Sequence, residues 1–205
     1  IVCAGKPIFL INNSSPNPTG ASWTFGDGSF SSDINPVKVF NSPGNYVIKL
    51  VSSFGACNDS VSKPIQVLSK PSTDFTSSNT NACKPPLTVS FSQATSGAVI
   101  FKWFFGDGDS SSLSNPTHTY STYGSFSVTL VTTNAAGCTD TIRKINFIRI
   151  EKPQVTIANA PQQGCVPFSF QPAVTIVSTD SIAGYRWDFG DGNTSTLPSP
   201  VHTYA

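Results

Sequence analysis

Within residues 101–120, FKWFFGDGDSSSLSNPTHTY, three side chains are of types that do chemistry: Asp107, Asp109 and His118. A carboxylate beside an imidazole can pass a proton as a general acid–base pair. Carboxylates in an oxygen-rich loop can hold Ca²⁺. An Asp-Gly pair between extended runs can simply turn a hairpin. The stretch occurs three times, so the copies can arbitrate: Trp23 opens WTFGDGSFSSDINPVKVF, Trp103 opens WFFGDGDSSSLSNPTHTY and Trp187 opens WDFGDGNTSTLPSPVHTY.

An acid–base reading would pair Asp27, Asp107 and Asp191 with a histidine, but His118 and His202 have Lys38 as their counterpart in the first copy. No nucleophile keeps a fixed relation to the motif, so no catalytic residue and no cofactor is assigned, and the chain is read as non-enzymatic. For calcium, Asp107 with Asp109 or Asp188 with Asp191 could begin a site, yet the first copy offers only Asp33, six residues after Asp27. No metal is therefore assigned. The turn reading explains more. The Asp carboxylate can accept bonds from nearby backbone amides, the preceding Gly relaxes the strand end, and both Asp-Gly positions favour φ > 0. Trp23, Phe25, Asp27, Trp103, Phe105, Asp107, Trp187, Phe189 and Asp191 then form a structural signature. Tyr120 and Tyr204 plug the core edge, and His118 is a packed or hydrogen-bonded histidine.

The elements that position these residues read as strands. Tyr46, Ile48 and Leu50 alternate with Val47 and Lys49, and Phe126, Val128 and Leu130 alternate with Ser127 and Thr129. Leu87, Val89 and Phe91 repeat the period of two, the mark of a half-buried strand. The three tryptophans stand 80 and 84 residues apart, too far for a solenoid unit but right for tandem small domains. Short strands broken by Gly, Pro and Asn turns predict an all-β fold of tandem immunoglobulin-like sandwiches. Charged residues are 11% of the 205, far below the roughly 25% of an ordinary soluble domain. A net charge of +1 with no basic stripe argues against nucleic acid as a partner. No apolar run reaches the length of a membrane span, so the chain is not expected to cross a membrane.

The recurring W-x-F-G-D-G, N-P-x-H-x-Y, G-x-[YF]-x-V-x-L and N-x-x-G-C-x-D-[ST] motifs, in order and in register, resemble the bacterial form of the PKD (polycystic kidney disease) domain. The resemblance covers essentially the whole chain. The first copy departs from it at Val37-Lys38-Val39-Phe40 and the third at Ser199-Pro200. Domain boundaries are expected at 1–70, 71–152 and 153–205, with Pro71 and Pro153 marking short, stiff linkers. The first copy lacks a segment matching STDFTSS from Ser72, and the third stops where the second continues through two more strands. A fragment of a longer array is therefore expected.

Cys3 and Cys57 are 54 residues apart, and Cys83 and Cys138, 55 apart, hold the same places in the next copy. This equivalence predicts disulfides Cys3–Cys57 and Cys83–Cys138 inside their repeats, with Cys165 unpaired and its partner beyond Ala205. No Cys-x-x-Cys spacing suggests zinc. Asp59-Ser60-Val61, Asp140-Thr141-Ile142 and Asp180-Ser181-Ile182 resemble an O-glycosylation signal of secreted Bacteroidota proteins, which makes Ser60, Thr141 and Ser181 candidates; the competing reading is a strand-edge hydroxyl beside a turn. Asn12, Asn13, Asn58 and Asn193 fit eukaryotic-style sequons by composition alone.

The resemblance implies an extracellular, cell-surface protein. The expected function is a non-catalytic, rod-like stalk of a large Bacteroidota adhesin or filament, in the manner of type IX-exported and gliding proteins. The competing expectation is a spacer in a secreted enzyme that degrades polysaccharide or protein. Expected partners are neighbouring repeats of the same polypeptide, with surface polysaccharide or other cells beyond them.

Overall fold

The alternating segments form the expected strands, and each strand pair among the described residues lies within one repeat. The structure, a computed structural model, describes residues 2–160, 162–178 and 181–205. In the second repeat one sheet runs in the order Ser110–Ser111, Ile100–Phe104, Gly124–Thr133, Thr139–Ile150, Asn81–Ala82. Facing it, Thr117–Tyr120, Leu87–Gln93 and Phe75–Ser77 make a three-stranded sheet. Inward side chains of both sheets meet in one core, in which Phe75, Val89, Phe91, Trp103, Phe105, Tyr120, Val128 and Leu130 are buried. The period of two places them there, because alternate residues of a strand face opposite sides. Phe104, between Trp103 and Phe105, is 40% exposed, as that alternation requires.

The first repeat has the matching five-stranded sheet, ordered Val2–Cys3, Cys57–Leu68, Gly44–Phe54, Gly20–Thr24, Phe30–Ser31. Among the described residues its opposing layer is the pair Pro7–Phe9 and Val37–Val39. No strand among the described residues takes the place that Phe75–Ser77 takes in the second repeat. A groove of about 550 Å³ opens there, lined by Leu10, Trp23, Ile48, Leu50 and Ile65 among others. The third repeat keeps three short antiparallel pairs: Gln154–Ile157 with Val174–Val177, Phe168–Phe170 with His202–Tyr204, and Trp187–Asp188 with Thr194–Ser195. Among the described residues no helix is long and apolar enough to cross a membrane.

The disulfide expectation fails. Cys3 is bonded to Cys138, a separation of 135 residues, and Cys57, Cys83 and Cys165 are free thiols. The strand register gives the reason. Cys3 pairs beside Leu68, at one end of the strand Cys57–Leu68, while Cys57 lies at the other end, in the turn facing Phe54. Eleven residues of extended chain separate the two places, roughly 36 Å at about 3.3 Å each. A disulfide requires Cα atoms within about 7 Å. Cys83 and Cys138 stand apart in the same way, because Ala82 pairs with Ile150 at the far end of Thr139–Ile150. The two cysteine positions mark opposite poles of a repeat, so the bond that forms is the one between repeats.

Candidate functional site

Each copy of the motif builds one small cluster at a hairpin. In the second repeat Trp103 pairs with Ser111 and Phe104 with Ser110, and Phe105 N donates to Asp109 O at 3.1 Å to close the turn. The left-handed residues are Gly106 at φ 91° and Gly108 at φ 108°, whereas Asp107 keeps a negative φ. The expected hairpin is there, but its turn is Gly-Asp-Gly rather than a two-residue Asp-Gly. Asp107 Oδ1 accepts from Asp109 N at 3.2 Å, and the equivalent bonds, Ser29 N to Asp27 and Asn193 N to Asp191, measure 3.1 and 3.0 Å. Gly106 has a second duty, since a Cβ there would lie 2.6 Å from Ser127 O.

The other carboxylate oxygen meets a side-chain nitrogen of the opposite sheet in every copy. His118 Nε2 lies 2.6 Å from Asp107 Oδ2, His202 Nε2 lies 2.8 Å from Asp191 Oδ2, and Lys38 Nζ lies 2.6 Å from Asp27 Oδ2. The two imidazoles stack on Phe105 and Phe189 at 4.2 and 4.1 Å between centroids, and the Lys38 ammonium sits 5.0 Å from the Phe25 and Phe40 rings. The Lys38 hydrogen bond, followed by that of Ser29, holds the Asp27 carboxyl down at about 2. The Asn193 amide, helped by its side chain and His202, holds Asp191 below the usual carboxylate range. Tyr120 and Tyr204 donate their hydroxyls to Phe105 O and Phe189 O at 3.1 and 3.0 Å, and burial pushes the Tyr120 phenol well up. The indole N–H of Trp23, Trp103 and Trp187 donates to Asp33 O, Leu113 O and Leu197 O.

Chemically, each cluster is a clamp that ties a hairpin to the opposite sheet. Asp107, Asp109 and His118 place ligand atoms within 4.8 Å of one another, and among the described residues they are the only such group of three. The direct Asp107–His118 bond accounts for that closeness, and the Asp109 position is Ser29 in the first copy and Asn193 in the third. Asp188 turns to its own loop, accepting from Gly190 N at 3.0 Å. The calcium candidates thus do not recur as one donor set.

A second constellation, which the sequence reading missed, lies at the junction of the first two repeats. Lys70 Nζ meets Asp140 Oδ1 at 2.7 Å, and Thr73 N donates to Asp140 Oδ2 at 3.2 Å. Burial opposes the Asp140 charge, but the bonds from Lys70 and Thr73 win and hold its carboxyl below the usual range. Asn134 Nδ2 donates to Ser69 O at 2.9 Å, and the buried hydroxyls of Thr73 and Thr132 pair at 2.6 Å. The linker is thus bolted to the hairpin that carries Cys138, while Ala4 N, next to Cys3, donates to Leu68 O at 2.9 Å. Asp140 is also the acid of the Asp-Thr-Ile motif, which gives that acid a packing role independent of any glycan. Ser60, Thr141 and Ser181 are exposed; Asp180 falls outside the described residues.

An all-β array of sandwiches with a Trp-x-Phe-Gly-Asp-Gly clamp is the class that fold and site define. The PKD domain pattern matches residues 1–67, 69–149 and 151–205, and the chain belongs to the PKD domain family. It is similar to the PKD1 domain of Vibrio anguillarum Epp, at 26% identity over 40% of this chain and 95% of that one, with a TM-score of 0.35. It is also similar to the PKD1 domain of the Vibrio cholerae metalloprotease PrtV, at 29% identity over 40% and 99%, with a TM-score of 0.34. Fibronectin(III)-like modules of Clostridium thermocellum CbhA match at 16% identity over 74% and 88%, with a TM-score of 0.36. PKD domains are in general non-catalytic modules and typically extracellular.

Proposed function

We propose that this chain is a shaft segment of a large bacterial surface adhesin or filament, a rod that carries a binding part away from the cell. The observation that supports this reading is the junction, where one covalent bond and an ion pair leave the linker little freedom. A spacer that only keeps two modules apart can be flexible, whereas a shaft gains from junctions that resist bending. Each repeat adds roughly 35–40 Å to such a rod, from strands of about 8 residues plus end loops. The family resemblance favours a Bacteroidota protein exported by the type IX route, with gliding filaments among its uses. Its partners are then neighbouring repeats and, at the far tip, surface polysaccharide or other cells. The clamps serve as local fasteners of each sandwich and take no part in catalysis.

The test uses native material: an antibody to residues 71–152, applied to a size blot and to immunogold labelling of intact cells. A polypeptide of several hundred kilodaltons on surface fibres is expected. A modest protein released into the medium would overturn the proposal in favour of a spacer in a secreted polysaccharide- or protein-degrading enzyme.

A further inference from the structure

The Cys3–Cys138 bond joins two kinds of position: one at the end of the leading edge strand of a repeat, the other at the tip of the long hairpin of the next. Both kinds recur unpaired. Cys83 follows the edge strand Asn81–Ala82 of the second repeat, at the pole where the chain leaves it. Cys57 lies at the hairpin tip of the first repeat, exposed, at the opposite pole. They cannot satisfy each other within one chain, since two repeats lie between them.

The ion pair beside the staple recurs in halves as well. Lys152 precedes Pro153 as Lys70 precedes Pro71, and it is exposed. Asp59 stands two residues after Cys57, as Asp140 stands two after Cys138, and accepts from Ser60 N. A pole offering Cys57 and Asp59 is therefore complementary to a pole offering Cys83 and Lys152, in charge and in bond-forming atoms. The completed junction shows how the two fit.

We propose that Cys57 and Cys83 are the two halves of this same staple and bond to further copies of the repeat. Cys57 takes the leading-strand cysteine of a copy docked on the first repeat, and Cys83 takes the hairpin cysteine of a copy docked beyond the second. Cys165, equivalent to Cys83, belongs to the same series. In each bond two thiols lose two protons and two electrons to a disulfide-bearing oxidoreductase, whose own S–S bond is reduced to a dithiol. The result is an array in which every junction carries its own covalent clasp, without any disulfide inside a repeat.

This inference rests on the tandem-array part of the proposed function and not on surface location. The test is peptide mapping of the native protein, with thiols blocked by N-ethylmaleimide before the cells are opened and digestion done without reductant. The expected result has three parts: a Cys3–Cys138 linked peptide, Cys57 joined to a leading-strand cysteine, and Cys83 joined to a hairpin cysteine of another repeat. N-ethylmaleimide on Cys57 or Cys83, Cys3–Cys57 or Cys83–Cys138 pairing, or absence of the Cys3–Cys138 peptide would each overturn it. Inter-repeat pairing in a protein released to the medium would uphold the staple while sinking the surface shaft.

Discussion

Lys38 in the first repeat and His118 in the second hold the same place in register and reach equivalent carboxylates, Asp27 and Asp107, at 2.6 Å in both. The side chains share a nitrogen that meets the carboxylate and a body that packs on Phe25 or Phe105; they share neither size nor shape. The position thus demands a donor that bridges an Asp to an aromatic face. The same two repeats differ far more in closure. Phe75 is wholly buried against Phe91, Trp103 and Phe147 in the second, and an open groove lies at the matching place in the first. Local fasteners tolerate replacement, while the core depends on an additional strand.

The largest effect should come from making the second repeat resemble the first. Phe75→Ala removes the side chain that fills the slot and is expected to cost about 3–5 kcal/mol, the usual range for a buried Phe. Denaturant unfolding should show the loss in the second repeat, with hydrogen exchange along Gly44–Phe54 of the first unchanged. A cost below about 1 kcal/mol would mean the two cores are less different than their burial indicates.

Next in size is the staple. Cys138→Ser should lower stability by roughly 2–4 kcal/mol, the common range for a disulfide, and should widen the distribution of angles between the first two repeats seen by X-ray scattering. Lys70→Met removes the ion pair alone, and a surface pair of this kind contributes at most about 1 kcal/mol. If Lys70→Met widens the distribution and Cys138→Ser does not, the ion pair rather than the bond sets the junction's stiffness.

The repeats, the strands and the inward faces were legible because all three rest on local periodicity. Trp103 and Phe105 point inward for the same reason that Phe104 does not. The cysteine pairing was misread because equivalence between copies says which positions match, not which pole of a sandwich each occupies. The missing signal was present in the chain. Cys57 directly follows Gly55-Ala56, a turn, and a long alternating run then leads to the linker. A turn and the far end of its own strand cannot be neighbours. The Gly-Asp-Gly turn was misassigned more narrowly: Gly106 and Gly108 rather than Asp107 take positive φ, and the approach of Ser127 O, invisible in the sequence, leaves no room for a Cβ at Gly106.

That approach separates two equivalent glycines. Gly106→Ala meets both a positive φ and a backbone oxygen that cannot move freely, whereas Gly190, with φ +82°, has open space around its would-be Cβ. Backbone strain alone costs about 1–3 kcal/mol, so Gly190→Ala should fall near the lower end and Gly106→Ala at or above the upper. Equal costs, read from chemical denaturation of the two variants, would place the whole penalty in φ and none in contact.

The smallest effect is also the one that tells charge from packing in the clamp. The hydrogen bonds of Lys38 and, next, Ser29 depress the Asp27 carboxyl from 3.8 to about 2, so the folded state favours the ionised acid. Stability from this pair is complete above pH 3.8 and disappears as pH falls through about 2, because protonation then costs the folded form its partner. Lys38→Met keeps much of the stem over Phe25 and Phe40 and removes the charge. The variant should be less stable at pH 7 by about 1 kcal/mol or less, and the difference should close as pH drops from 3.8 towards 2, followed by hydrogen exchange along Gly44–Phe54. A difference that persists unchanged at pH 2 would show that Lys38 acts through packing on the two rings, and the likeness between Lys38 and His118 would then be one of packing rather than charge.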